Sequence, residues 1–176
     1  VHHTVHPQSA QPVDPPFALT ISHEQGLIAI LGPDPLVTIT ELLGGTAPST
    51  VDTELGILEF WVGAVADSQA PINGPAMILI EELIEAALTG DLAVSDAAQS
   101  RIKTLRAHGW APQIRGHCVV TGPLGDDGVP APLPERFFRW LEARVHAAQN
   151  AHIERVLAEL TEAGLHVHLI TITENN

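Results

Sequence analysis

Ten histidines are spread through a chain of 176 residues, and two of them, His166 and His168, are spaced to act together. Residues two apart on a strand project from the same face, so both imidazoles can reach one cation. Zinc would need a third protein ligand, which His117, His152 or an aspartate would have to supply through tertiary proximity. The competing reading puts His166 and His168 on the polar face of an amphipathic strand, with Leu165, Val167 and Leu169 turned inward. A further group, His2, His3 and His6, falls in a stretch rich in Pro and Gln without apolar periodicity. Metal affinity there would be adventitious, because a disordered tail bears the whole ordering cost of forming a site.

His117 and Cys118 are neighbours, so on a strand they face opposite ways and cannot serve each other as base and nucleophile. Cys118 instead reads as a small core residue. It is the sole cysteine, which excludes an intramolecular disulfide and fits a reducing compartment. Asp126-Asp127 lacks the alternating oxygen ligands of a calcium loop and reads as a turn. Arg136, Arg139 and Arg144 interleave with Phe137 and Trp140, as a phosphate contact would require. Glu135 and Glu142 stand among them, which fits a helix with a mixed polar face better. No G-x-S-x-G, H-E-x-x-H or glycine-rich phosphate loop is present, so no catalytic or cofactor-binding residue is assigned.

Charge is distributed unevenly. No lysine or arginine precedes Arg101, whereas the first hundred residues hold thirteen Asp and Glu. All eight basic side chains lie between Arg101 and Arg155, and eight acids after residue 100 balance them. The net charge of −13 therefore belongs to the first hundred residues. That excludes a direct nucleic-acid grip by this part, since phosphate binding needs Lys and Arg. An acidic surface is instead suited to a basic protein partner. The longest apolar candidate, Ala76 to Leu88, is broken by Glu81, Glu82 and Glu85 and falls short of the about 18 residues of a membrane span. With no leader pattern at the start, the expectation is a cytoplasmic protein without membrane contact.

The elements that must position these residues follow from periodicity and punctuation. Residues 1–16 predict a disordered tail, and residues 17–176 one α+β domain. Phe17–Ile21 and Leu27–Leu31, joined through His23-Glu-Gln-Gly26, predict a β-hairpin. Leu36–Leu43 predicts a short helix stopped by Gly44-Gly45, and residues 45–53 a loop. Ile57–Val62 predicts a strand. Asn73 before Gly-Pro marks a helix start, with Met77, Ile80, Leu83, Ile84 and Leu88 on one face and Gly90 as the stop. Ser95-Asp96 opens another helix, with Ala98, Ile102 and Leu105 inward and Gly109 closing it. Acidic and basic outer faces predict an αα-hairpin whose charges partly neutralise. Ile114–Thr121 predicts a strand, residues 134–163 a long helix, and residues 165–173 a last strand. The order ββα-β-αα-β-α-β gives a mixed or antiparallel sheet packed by helices.

Two stretches, Ile57–Val62 leading to Ile72-Asn-Gly-Pro-Ala76 and Ile114–Gly122 leading through Asp126-Asp127-Gly128 to Leu133, resemble a family of uncharacterised small proteins carried by bacteriophages and plasmids. The resemblance implies an α+β shape and an accessory role, and it brings no active-site residues. The expectation is a small acidic accessory protein that acts by protein binding. Two alternatives stand beside it. One is a metal-dependent enzyme using His166 and His168 with His117 or His152, zinc being the metal such ligands suit. The other is a structural subunit that self-associates through the 134–163 helix.

Overall fold

The computed structural model describes residues 16–63 and 70–162. Residues 1–15 of the expected tail, the strand 165–173, and His2, His3, His6, His166 and His168 lie outside these residues, while Pro16, expected in the tail, is described and accepts from Leu31 N at 2.7 Å. The chain divides into two compact units, Val1–Pro134 and Glu135–Asn176. No helix among the described residues is long and apolar enough to cross a membrane.

The first unit is built on an antiparallel sheet. Strands β1 (Phe17–Ile21) and β2 (Gly26–Ile30) form the expected hairpin, closed by Ser22 N–H donating to Gln25 O at 2.9 Å. Helix α1 (Pro35–Leu42) follows, with the Asp34 carboxylate accepting from Val37 N and Pro35 opening the first turn. Strands β3 (Pro48–Val51) and β4 (Glu59–Gly63) make a second antiparallel pair. Helices α2 (Gly74–Thr89) and α3 (Asp96–Ala107) come next, then strand β5 (Cys118–Thr121). The described strands lie in the order β2-β1-β5-β4-β3, so β5 is inserted between the two hairpins. All four of its residues are buried.

Two expectations needed correction. Residues 45–53 were expected as a loop, but Pro48–Val51 forms β3, an edge strand whose Pro and polar residues hide its periodicity. The strand expected over 114–121 is cut at Gly116, whose φ of 69° a β-strand cannot accommodate. Ile114 and Arg115 turn away instead, with Arg115 bridging to Ile72 and Gly116 N donating to Pro71 O at 3.0 Å.

The core has two sides because the pleat alternates. Ala18, Trp61 and Val119 face α1 and pack with Leu31, Ile39 and Leu43. Leu19, Ile21, Phe60 and Val120 lie on the opposite face, all buried. Asn73 ties α2 to this sheet. Its side chain caps α2 at Ala76 N (3.0 Å) and donates to Ile21 O (3.0 Å) and Gly116 O (2.8 Å). The α2–α3 hairpin forms as charge and capping predict. Arg106 pairs with Glu81, its NH1 donating to Oε1 at 3.2 Å, and reaches Glu85 at 3.9 Å. Gln99 Nε2 donates to Ala87 O at 2.9 Å and so satisfies a carbonyl at the end of α2.

The second unit contains α4 (Glu135–Glu162), 28 residues long. Phe137 is fully buried, in ring contact with Phe138 and Trp140 at 5.9 and 6.0 Å. Arg139 pairs with Glu135 one turn back. From Glu142 to Glu162 every described residue except Leu157 is exposed.

Candidate functional site

The outer side of β2 carries the most unusual surface of the first unit. Its sequence, Gly-Leu-Ile-Ala-Ile, holds no charge and no proline. As a continuous apolar run it looks like a strand buried on both faces. It lies instead at the edge of the sheet formed by the described residues, with Leu27 52%, Ile28 48% and Ile30 63% exposed. Leu36 and Val37, at the start of α1, are exposed nearby in sequence at 39% and 52%.

The register shows which backbone groups this edge presents. Ser22 N donates to Gln25 O at one end of the hairpin, and Leu31 N to Pro16 O at the other (2.7 Å). Bonded and non-bonded pairs alternate along an antiparallel ladder, so Thr20↔Leu27 and Ala18↔Ala29 are the bonded pairs between them. Gly26, Ile28 and Ile30 therefore turn N–H and C=O away from β1. Ile28 pairs with Leu19 and Ile30 with Phe17, so both extend the face opposite α1. Leu27 pairs with Thr20 and lies on the α1 side. Natural edges are usually blunted by Lys, Pro or a bulge. Here Glu24 stands before the strand and Asp34 after it, with only apolar residues and a single glycine along the strand itself.

A second feature is an acidic cavity of about 270 Å³ between the β3–β4 connection and the first turns of α3. Asp52, Glu54, Glu59 and Arg101 line it. Glu54 holds a positive φ of 57°, which Asp52 Oδ1 supports by accepting from Glu54 N at 2.9 Å. Arg101 NH1 donates to Glu54 Oε2 at 2.8 Å, a pair that joins the connection to α3. Burial, reinforced by the charge of Asp52, raises the Glu59 carboxyl above its ordinary range. With Arg101 engaged by Glu54, the cavity offers a raised acid and no electrophilic partner for it. The arrangement is an electrostatic clasp between two parts of the fold.

The histidines considered for metal are not brought together among the described residues. His117 is exposed and shares a cavity of about 320 Å³ with His23, Thr46 and Arg115. His152 belongs to the other unit, where Arg155 NH2 stands 2.9 Å from its Nδ1. Arginine can only donate, so that nitrogen accepts. Among the described residues no cluster of three His, Cys, Asp or Glu is placed to hold a cation. Cys118 is fully buried, and burial pushes its thiol far above the ordinary range. Asp126-Asp127 forms the expected turn, with Asp127 Oδ1 accepting from Val129 N at 3.0 Å.

The β2 edge was not foreseen, because edge position depends on which strands pair and not on the composition of one strand. Its one sequence signal is the coincidence of a hairpin strand, which needs only one partner, with an unbroken apolar run. No family model, no curated protein and no solved structure matches the chain.

Proposed function

We propose that this protein works by binding another protein, an extended segment of which adds a strand to β2. The observation that carries the reading is the uncharged β2 strand at the edge of the described sheet, with outward N–H and C=O groups at Gly26, Ile28 and Ile30. In strand addition, main-chain bonds supply affinity and alternate side chains supply specificity. The partner segment would carry apolar residues to meet Ile28 and Ile30. Lysine or arginine at its ends would meet Glu24 and Asp34 in a region with no cation of its own before Arg101. This is the accessory role that the resemblance to phage- and plasmid-carried proteins implies, now with a chemical description of the partner. The metal-enzyme reading rests on His166 and His168, which lie outside the described residues.

The test is a titration of isotope-labelled full chain with synthetic peptides that alternate Val and Thr between lysine ends. Saturable amide shifts at Gly26, Ile28 and Ile30 are expected, weaker with glutamate ends and lost in Ile28→Pro. Absence of shifts with every peptide would refute strand addition. So would amides at Ile28 and Ile30 already protected from hydrogen exchange in the free monomer.

A further inference from the structure

Asp52 and Glu59 stand one step beyond the last rung of the β3–β4 ladder, Val51↔Phe60, and both line the acidic cavity. Like charges set opposite each other on paired strands repel and destabilise the fold. Among the described residues lining that cavity, Asp52, Glu54 and Glu59 face a single cation, Arg101, and its guanidinium is already bonded to Glu54. The first turn of α3 adds a partial positive charge of about half a unit, which Asp96 in the same turn offsets. Asp52 and Glu59 are therefore left without a counter-charge from the cavity wall.

Thr53 lies between Asp52 and Glu54, lines the same cavity and is only 3% exposed. Among the described residues, every side-chain nitrogen or oxygen sealed from solvent has a hydrogen-bond partner. The Thr53 hydroxyl has no partner among them, so it is not sealed and faces the cavity that its residue lines. Buried hydroxyls ordinarily take a partner, and here the protein supplies none. Leu58, 2% exposed, adds an apolar wall.

The Thr53 hydroxyl, the Glu59 carboxylate and the second oxygen of Asp52, whose Oδ1 accepts from Glu54 N, are three acceptors. A primary ammonium brings three donors and one positive charge. Calcium asks for six or more oxygens, and no three acidic or histidine side chains among the described residues are placed to hold a metal. The volume of about 270 Å³ suits one short chain rather than a large ligand.

We infer that this cavity binds a primary ammonium at the end of a short alkyl chain, bonded by Asp52, Glu59 and the Thr53 hydroxyl, with the methylenes against Leu58. Either a free alkylamine or a lysine side chain carries that group. The inference stands apart from strand addition at β2.

The isotope-labelled full chain is titrated at neutral pH and constant ionic strength with n-butylamine and, separately, with N-acetyl-lysine methylamide. Saturable amide shifts at Thr53, Glu54 and Gly56 are expected. Tighter binding of the lysine compound assigns the source to a polypeptide, and tighter binding of butylamine to a free amine. Thr53→Val and Glu59→Gln should each weaken binding about tenfold or more, by removing a bond to a charged group. Melting temperatures at the same pH separate this loss from unfolding, since Glu59→Gln should melt no lower than the parent. Affinity should fall in acid, where Glu59 gains a proton. Ile28→Pro should bind the amines unchanged. Butyltrimethylammonium, with the same charge and no N–H, should give no saturable shift. The proposal is overturned if neither amine saturates, if the quaternary ion binds equally well, or if Thr53→Val binds like the parent. Tighter saturation of the same amides by calcium chloride would overturn it in favour of a metal.

Discussion

The Trp61 indole Nε1 donates to the Thr121 hydroxyl at 2.9 Å across the β4–β5 ladder, with both residues almost wholly buried. Thr121 in turn lies 2.8 Å from Gly122 O and donates to it, so the polar atoms form a closed relay inside an apolar layer. Thr121→Val keeps the shape and removes the acceptor. It should cost about 1–3 kcal/mol, the usual penalty for leaving a buried donor unmade. Urea unfolding measures this, and Thr121→Ser, which retains the hydroxyl, should lose less.

Asn73 uses one side chain to join α2, β1 and the bend at Gly116, and it is fully buried. Asn73→Ala removes a cap and two donors, so a loss of about 2–4 kcal/mol is expected. Asn73→Asp keeps the cap and turns a carboxylate toward two carbonyl oxygens. Its deficit should shrink as pH falls and the carboxyl regains a proton, a trend that chemical denaturation at several pH values will reveal.

Proline scanning reads the register of β2 directly. Ile28 directs its N–H outward, so Ile28→Pro forfeits no bond to β1 and should cost about 1 kcal/mol. Ala29 directs its N–H toward β1, and Ala29→Pro should cost about 1–3 kcal/mol more. Equal losses at the two positions would show that the ladder alternates differently.

Glu59 gives the fold an acid-side dependence. Its folded pKa lies above the unfolded value, so its favourable contribution is complete below the ordinary glutamate pKa of 4.5 and is lost as pH rises through the folded value. Glu59→Gln should therefore stabilise the protein at neutral pH and have little effect in the acid range. The gain should be small, because water on the open side screens the Asp52 repulsion. Thermal melts at two pH values distinguish these regimes, and a gain that is larger in acid would contradict the assignment.

Much of the fold is written in punctuation. Asp34, Asn73 and Ser95 are side-chain caps in the structure, and Gly90 ends α2 at φ 89°. The neutralising helical hairpin follows from acids on one helix and Arg101, Lys103 and Arg106 on the next. β3 was hidden because Pro-Ser-Thr-Val carries no apolar alternation, and its strand character comes wholly from pairing with β4. The edge at β2 was hidden for the converse reason. Its residues look central, and only the insertion of β5 beside β1 assigns them to the margin. His117 and His152 show a third limit, since shared residue type says nothing about which unit each will join.

The position of β5 sets the order of events in assembly. β1–β2 and β3–β4 can each close through short connections, yet neither touches the other until Cys118–Thr121 enters between them. On the ribosome, both hairpins emerge with inner edges bare while about fifty residues of α2, α3 and their connections are still to be made. Bare inner edges are templates for wrong pairing, and late long-range closure slows folding. Substitutions in β5 should therefore act on the folding rate, whereas those in β2 should act on unfolding. The strand that holds the sheet together is also the one whose delay determines how long a nascent chain remains open to aggregation.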